Sequence, residues 1–284
     1  MDRSHLLGSF LRARRQATTP EQAGLTATGI RRTPGLRREE VAALAGVSAD
    51  YYTRLEQGRE RHPSEQLLQA LTRVLNLGPD AAAYLHELAH PGLRRHRPAD
   101  TPEQVDPHLL RLTHSWPLVP ALVCNRRLDV LAGNRMSTAL HVGQQHAGNL
   151  LRLVFLDPSA REFYRDWEDV ARARVANLRA AAGADLAAPY VMSLVDELSR
   201  NSPDFARLWA CQEVFGESSI TRRLRHPEVG DLTFVYEAFS VNAAHGQHLI
   251  VLHPEPDSVT ERRLAQLNEQ APLIRRPIPN RISG

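Results

Sequence analysis

Residues 36–64, LRREEVAALAGVSADYYTRLEQGRERHPS, hold two short apolar-periodic stretches joined through a glycine, and few folds accept that combination. Val41, Leu44 and Val47 recur at helical spacing, and Tyr52 and Leu55 continue the pattern in the next stretch. A helix-turn-helix packs two short helices closely, which demands a small residue on the first and a small, flexible one in the turn. Ala42 and Gly46 stand four apart and meet both demands. Gly46 ends the first helix, where a left-handed backbone is free of steric cost only for glycine. Ser48 is placed to cap the second helix with its side-chain oxygen. The five apolar side chains are expected to form one wedge between the helices.

With Val47, Tyr52 and Leu55 turned inward, the opposite face of the second helix carries Ala49, Asp50, Thr53 and Arg54. Those side chains would meet base edges in the major groove of double-stranded DNA. Arg54 can donate two hydrogen bonds to a guanine, while Ala49 or the Thr53 methyl can touch a thymine methyl. Arg37, Arg38, Ser48, Tyr51, Gln57, Arg59 and Arg61 flank this face and are expected at the phosphates, where they set register and affinity. The competing reading is a helical bundle whose Arg and Glu residues only solvate an outer face. The conjunction of Ala42, Gly46 and Ser48 with correctly phased apolar residues favours DNA.

Charge is distributed in keeping with this. The 284-residue chain carries only +3 overall, but residues 1–100 hold 15 arginines against 11 acidic residues, and the remainder is at −1. The length suits two domains. Residues 1–92 read as a helical DNA-binding domain, opened by Leu6, Leu7, Phe10 and Leu11 and closed by a helix from about Pro79 to Pro91-Gly92. Residues 93–106 form a proline-rich linker, 107–272 a second domain and 273–284 a tail. No apolar run approaches the ~20 residues that span a bilayer, and the arginine-interrupted start does not suit a signal peptide. A cytoplasmic protein is expected, and the two cysteines, Cys124 and Cys211, suit a reducing compartment.

The second domain reads as α+β. Ala121–Asn125 and Leu128–Gly133 form a hairpin candidate, helical stretches follow at Met136–Val142, Asp166–Ala182, Tyr190–Arg200 and Pro203–Cys211, and strands close it at Ile220–Arg225, Asp231–Phe239 and His248–His253. Helices on one face of an antiparallel sheet are expected. Such a layout leaves an apolar pocket between sheet and helices. Trp116, Phe155, Phe163, Tyr164, Trp167, Phe234 and Tyr236 are candidate lining residues, with Arg152 or Arg222 for an acidic head group. Each aromatic has a competing reading as plain core.

The stretch PGLRREEVAALAGVSADYYTRLEQGRERHPS resembles the xenobiotic-response-element (Cro/C1-type) helix-turn-helix family, in particular its MmyB-like group. SWPLVPALVCNRRLDVLAGN, NLLRLVFLDPSAREFYRDWE and RHPEVGDLTFVYEAF resemble that group's C-terminal domain. The resemblance implies a lambda-repressor-like domain followed by a PAS-like ligand-binding domain that takes a fatty-acid-like molecule. A homodimeric, ligand-responsive transcription regulator is therefore expected, with no cofactor or metal and no membrane partner. The alternative is a constitutive regulator, or an antitoxin-like protein whose second domain binds another protein.

His86-Glu87-Leu-Ala-His90 matches the H-E-x-x-H pattern of zinc hydrolases, in which two histidines one turn apart bind the metal and the glutamate activates water. Pro91-Gly92 ends that helix at once, and no third ligand stands at the usual distance downstream. The family resemblance also puts an apolar residue at His86 and glycine at His90. An enzyme is not expected.

Overall fold

The computed structural model describes residues 3–25, 34–60, 62–90, 104–182, 188–214, 220–242, 244 and 246–270. The expected linker, apart from 104–106, and the expected tail lie outside them, as does Arg61.

The N-terminal domain is all helical: α1 (Arg3–Ala17), α2 (Arg38–Ala45), α3 (Ala49–Glu56), α4 (Glu65–Val74) and α5 (Pro79–Ala89). Its caps are those the side chains dictate. Ser48 and Ser64 each accept a backbone N–H of the first turn of α3 and α4, and Pro79 occupies the first turn of α5. Leu7, Phe10, Leu11, Leu36, Val41, Tyr52, Leu55, Leu68, Leu71 and Leu85 are almost completely buried and form one core. One member of the expected wedge is not there: Leu44 is 40% exposed. Helical spacing alone could not separate Leu44 from Val41, because α2 meets its neighbours on a stripe only wide enough for Val41 and Ala42.

The C-terminal domain contains α6 (Pro107–His114), β1 (Ala121–Cys124), β2 (Val130–Gly133), α7 (Arg135–Leu140), α8 (Leu150–Phe155), α9 (Ala160–Phe163), α10 (Trp167–Ala182), α11 (Pro189–Asn201), α12 (Pro203–Ala210), β3 (Ile220–His226), β4 (Gly230–Ser240), β5 (His248–His253) and α13 (Val259–Gln270). The strands make one antiparallel sheet in the order β2-β1-β5-β4-β3. This is the α+β, PAS-like arrangement expected, with β1 brought beside β5 from the far end of the domain.

Two features differ from expectation. The helices do not keep to one face: α6 lies over the other, where Leu109 and Trp116 pack on Ala121, Val123, Leu249 and Val251. And the domain does not end on strands, since α13 follows β5 and buries Leu264 and Leu267. Period-two alternation sorts the sheet. Leu122, Ile250, Tyr236, Phe234, Arg222 and Leu224 are buried on the inner face, opposite the small α6 cluster.

The two domains touch. Helix α5 packs on α10, and one continuous cluster of buried apolar side chains runs through both.

Candidate DNA interface and ligand cavity

The helix-turn-helix corner is built as its residue types require. Gly46 takes φ 73°, and its N–H closes α2 on the Ala42 and Ala43 carbonyls. Ala42 is buried. Helix α3 therefore leaves the corner anchored by Tyr52 and Leu55, both fully buried, with its other face outward. Ala49, Asp50 and Arg54 are exposed and Thr53 is half-buried. Arg54 pairs with Asp50 at 2.5 Å and lies 5.8 Å from the centre of the Tyr51 ring. The Thr53 hydroxyl donates to the Ala49 carbonyl at 2.8 Å, which occupies its proton and leaves the methyl for apolar contact.

Around this face, Arg37, Arg38, Ser48, Gln57 and Arg59 are exposed and Tyr51 is half-buried. Ser48 accepts from the Tyr51 N–H at 3.1 Å and keeps its own hydroxyl proton to donate. Arg37 lies 3.8 Å from Glu39. Arg38 is held from below: its Nε donates to Glu56 Oε2 at 2.7 Å.

Glu56 is an anchor of this face that the sequence reading missed. Its carboxylate, almost wholly buried at the end of α3, also takes Arg15 Nε at 2.5 Å and Arg15 Nη2 at 3.2 Å, while Arg15 Nη1 donates to the Leu36 carbonyl. Burial alone would raise this carboxyl, but the hydrogen bonds from Arg15 and Arg38 outweigh it and hold it below the ordinary glutamate value. One buried carboxylate thus ties α1, α2 and α3 together and aims Arg38.

The second site lies between the inner sheet face and the helices. Leu122, Leu150, Phe163, Tyr164, Leu224, Ile250 and Leu252 form its apolar walls, with His141, Arg174, Arg222 and Tyr236 among them. Arg174 Nη1 donates to the Tyr236 hydroxyl at 2.9 Å. The guanidinium carbons of Arg174 and Arg222 lie 5.1 Å and 5.3 Å from the centre of that ring. His141 is held by a 2.8 Å contact between Nδ1 and the Ser137 carbonyl, and burial pushes its imidazole below the ordinary value. The open volume is about 30 Å³, which is space for roughly two or three water molecules.

The structure brings together only part of the expected lining set. Phe163, Tyr164, Arg222 and Tyr236 border the cavity. Trp116 lies across the sheet from it, because alternation turns its partners Ala121 and Val123 to the other face. Phe155 and Trp167 are spent on a core of edge-on rings with Phe205, and the Trp167 indole N–H donates to the Val154 carbonyl. Phe234 is buried on the inner face without bordering the cavity. Arg152 makes a two-pronged pair with Glu197 at 2.9 Å and 2.7 Å, so its guanidinium is already committed to a carboxylate. Arg174 was missed, although a signal existed. It sits among Val170, Ala171, Val175 and Leu178 on an apolar helical stripe, where a charged side chain is costly to bury and so marks a special environment.

His86 and His90 do not converge on a third ligand. His86 Nδ1 lies 3.3 Å from Glu65, and His90 is the exposed residue after the last turn of α5. Among the described residues no group of three or more His, Cys, Asp or Glu could hold a metal ion.

An outward-facing second helix on a glycine corner, followed by a PAS-like domain, defines a DNA-binding transcription regulator with a ligand-binding domain. Comparison with protein families agrees: residues 6–85 match a helix-turn-helix domain, and residues 105–267 match the MmyB-like transcription regulator ligand binding domain. The second match covers more than half of the chain, which belongs to the MmyB-like transcription regulators. Neither family is catalytic. A search of curated proteins finds no match. No described helix is long and apolar enough to cross a membrane.

Proposed function

We propose that this chain is a cytoplasmic, homodimeric regulator that reads DNA with α3 and changes its DNA affinity when a small apolar carboxylate, fatty-acid-like in character, enters the second domain. The observation that carries the DNA part is the exposed set Ala49, Asp50 and Arg54 on a helix whose reverse side is locked by Tyr52 and Leu55. Thr53 and Arg54 offer the methyl and the paired donors that base edges require. Arg37, Arg38, Ser48, Tyr51, Gln57 and Arg59 surround that helix as phosphate partners, joined by Arg61 from outside the described residues.

Support for the ligand comes from an apolar-walled cavity holding two buried guanidinium groups, Arg174 and Arg222, beside a tyrosine hydroxyl. A carboxylate head fits these donors, and an alkyl chain fits Leu122, Leu150, Leu224, Ile250 and Leu252. The present volume is too small for more than water, so entry of a chain requires the lining to open. Ligand then shifts DNA affinity by its preference for the opened state.

Selection of binding sites from random duplexes should return two half-sites about 34 Å apart, one per subunit. Straight-chain carboxylates from six to twelve carbons should raise the melting temperature of the full chain saturably, and Arg174→Met should remove the effect. Failure of every chain length to alter either melting or operator affinity refutes the ligand assignment. Recovery of no preferred duplex refutes the assignment of α3.

A further inference from the structure

We infer that α10 couples the ligand cavity to the DNA-binding domain, with Arg174 and Arg222 at the cavity end and the pair Arg179 and Tyr84 at the domain junction. This rests on the reading above only for its trigger, a ligand in the cavity; the coupling itself belongs to the chain.

Helix α10 presents different residues to the two sites. Arg174 enters the cavity and bonds Tyr236. Its neighbours Arg172 and Ala173 line a second, larger cleft of about 590 Å³, whose far wall is Arg14 of α1 with Gly78 and Ala81 at the start of α5. Arg222, on β3, borders both the cavity and this cleft. The cleft has walls from both domains, so its shape follows their relative placement.

Five residues beyond Arg174, or about 7.5 Å along the axis at 1.5 Å per residue, Arg179 reaches the junction. It is 1% exposed. Its Nη1 donates to Gln212 Oε1 at 2.6 Å and its Nη2 to the Trp209 carbonyl at 2.7 Å, with the guanidinium 3.8 Å over the Trp209 ring. Helix α5 packs on α10 at this junction, with Tyr84 buried in the core that the two domains share, and the charge of Arg179 acts on the Tyr84 hydroxyl. Burial pushes that hydroxyl up to about 12, against the pull of Arg179, so it stays protonated. The Tyr84 ring in turn meets Phe10 of α1 edge-on at 5.1 Å.

A buried guanidinium has few acceptors and pays heavily for losing one, so it moves between discrete partners instead of sliding. A packed helix shifts as a unit because the interior has no slack to absorb a local displacement. Drawing Arg174 away from Tyr236 therefore moves α10 as a whole, and Arg179 carries the shift to Tyr84, Phe10 and α1.

The test uses the full chain without ligand. Tyr236→Phe deletes one hydroxyl in the cavity and touches nothing in the N-terminal domain. Amide hydrogen exchange in α5 should rise about tenfold, the effect of losing one charge-assisted hydrogen bond. Tyr84→Phe should produce the same rise, and the double variant should add nothing to either, the signature of one shared pathway. Exchange in α5 unchanged by Tyr236→Phe, in protein that keeps its near-ultraviolet circular dichroism, overturns the coupling. Arg174→Met supplies the same readout if Tyr236→Phe does not fold. Titration with decanoate separates the two readings. Altered α5 exchange in the cavity variants without decanoate binding keeps the coupling and discards the carboxylate, and decanoate binding with α5 indifferent to Tyr236→Phe, or to Arg174→Met in its place, does the reverse.

Discussion

Arg38 Nε stands 2.7 Å from Glu56 Oε2, joining an exposed arginine at the start of α2 to a buried carboxylate at the end of α3. The same carboxylate holds Arg15. The exposed Arg38, proposed above as a phosphate partner, is thereby positioned by a carboxylate that is itself buried.

Glu56→Gln should lower the stability of the N-terminal domain by about 3 kcal/mol, because it leaves the buried Arg15 guanidinium uncompensated. Affinity should fall alike for every DNA sequence, since Arg38 loses its anchor and no base contact changes. Urea unfolding followed at the α1 to α3 amides, with binding to two unrelated duplexes, checks both parts.

Acid should act through the same group. The Glu56 carboxyl titrates lower in the folded chain than in the unfolded one, so its contribution is fully present above the ordinary glutamate value of about 4.3 and is lost as pH falls through the folded value. The N-terminal domain of the native chain should lose stability below about pH 4 more steeply than Glu56→Gln does. Parallel pH profiles for the two proteins would contradict this.

Base and phosphate roles should separate by mutation. Arg54→Ala should cost roughly 1–3 kcal/mol on the selected operator and relax preference at one base pair. Arg59→Ala should weaken all duplexes equally and reduce the salt slope by about one unit. Identical profiles over a panel of operator variants would show that the two roles are misassigned.

Two glycines should respond in a set order. An added Cβ at Gly46 meets nothing within 4 Å, so Gly46→Ala pays only for the left-handed backbone, about 1 kcal/mol. At Gly8 the Cβ would stand 2.3 Å from the Glu56 carbonyl oxygen. Gly8→Ala must drive α1 off α3, and should cost about 2 kcal/mol or more despite alanine's better helix propensity. Thermal unfolding of both variants decides, and the reverse order would show that α1 has room to yield.

The helix-turn-helix corner and the outward face of α3 were legible because they are written within thirty residues. Ala42, Gly46, Ser48, Tyr52 and Leu55 are local instructions, each acting over one or two helical turns, and the structure places the corner and the outward face of α3 where they say. Leu44 failed because helical phase fixes a direction but not whether a neighbour stands there. The cavity was half legible. Tyr236, Arg222, Phe163 and Tyr164 were reached through strand alternation and aromatic content, whereas Trp116 was lost because nothing in its own segment reveals which sheet face α6 will cover.

Local chemistry in the chain determined the caps, the glycine corner, the strand pattern and the exposed face of α3, since those depend on neighbours a few residues away. Tertiary structure alone decided that Arg15 meets Glu56, that β1 pairs with β5 and that Arg179 meets the Trp209 carbonyl. Each of these contacts joins residues far apart in the chain. Its energy comes from removing a charge or a strand edge from water in company with a specific partner, and the folded packing is what supplies that partner.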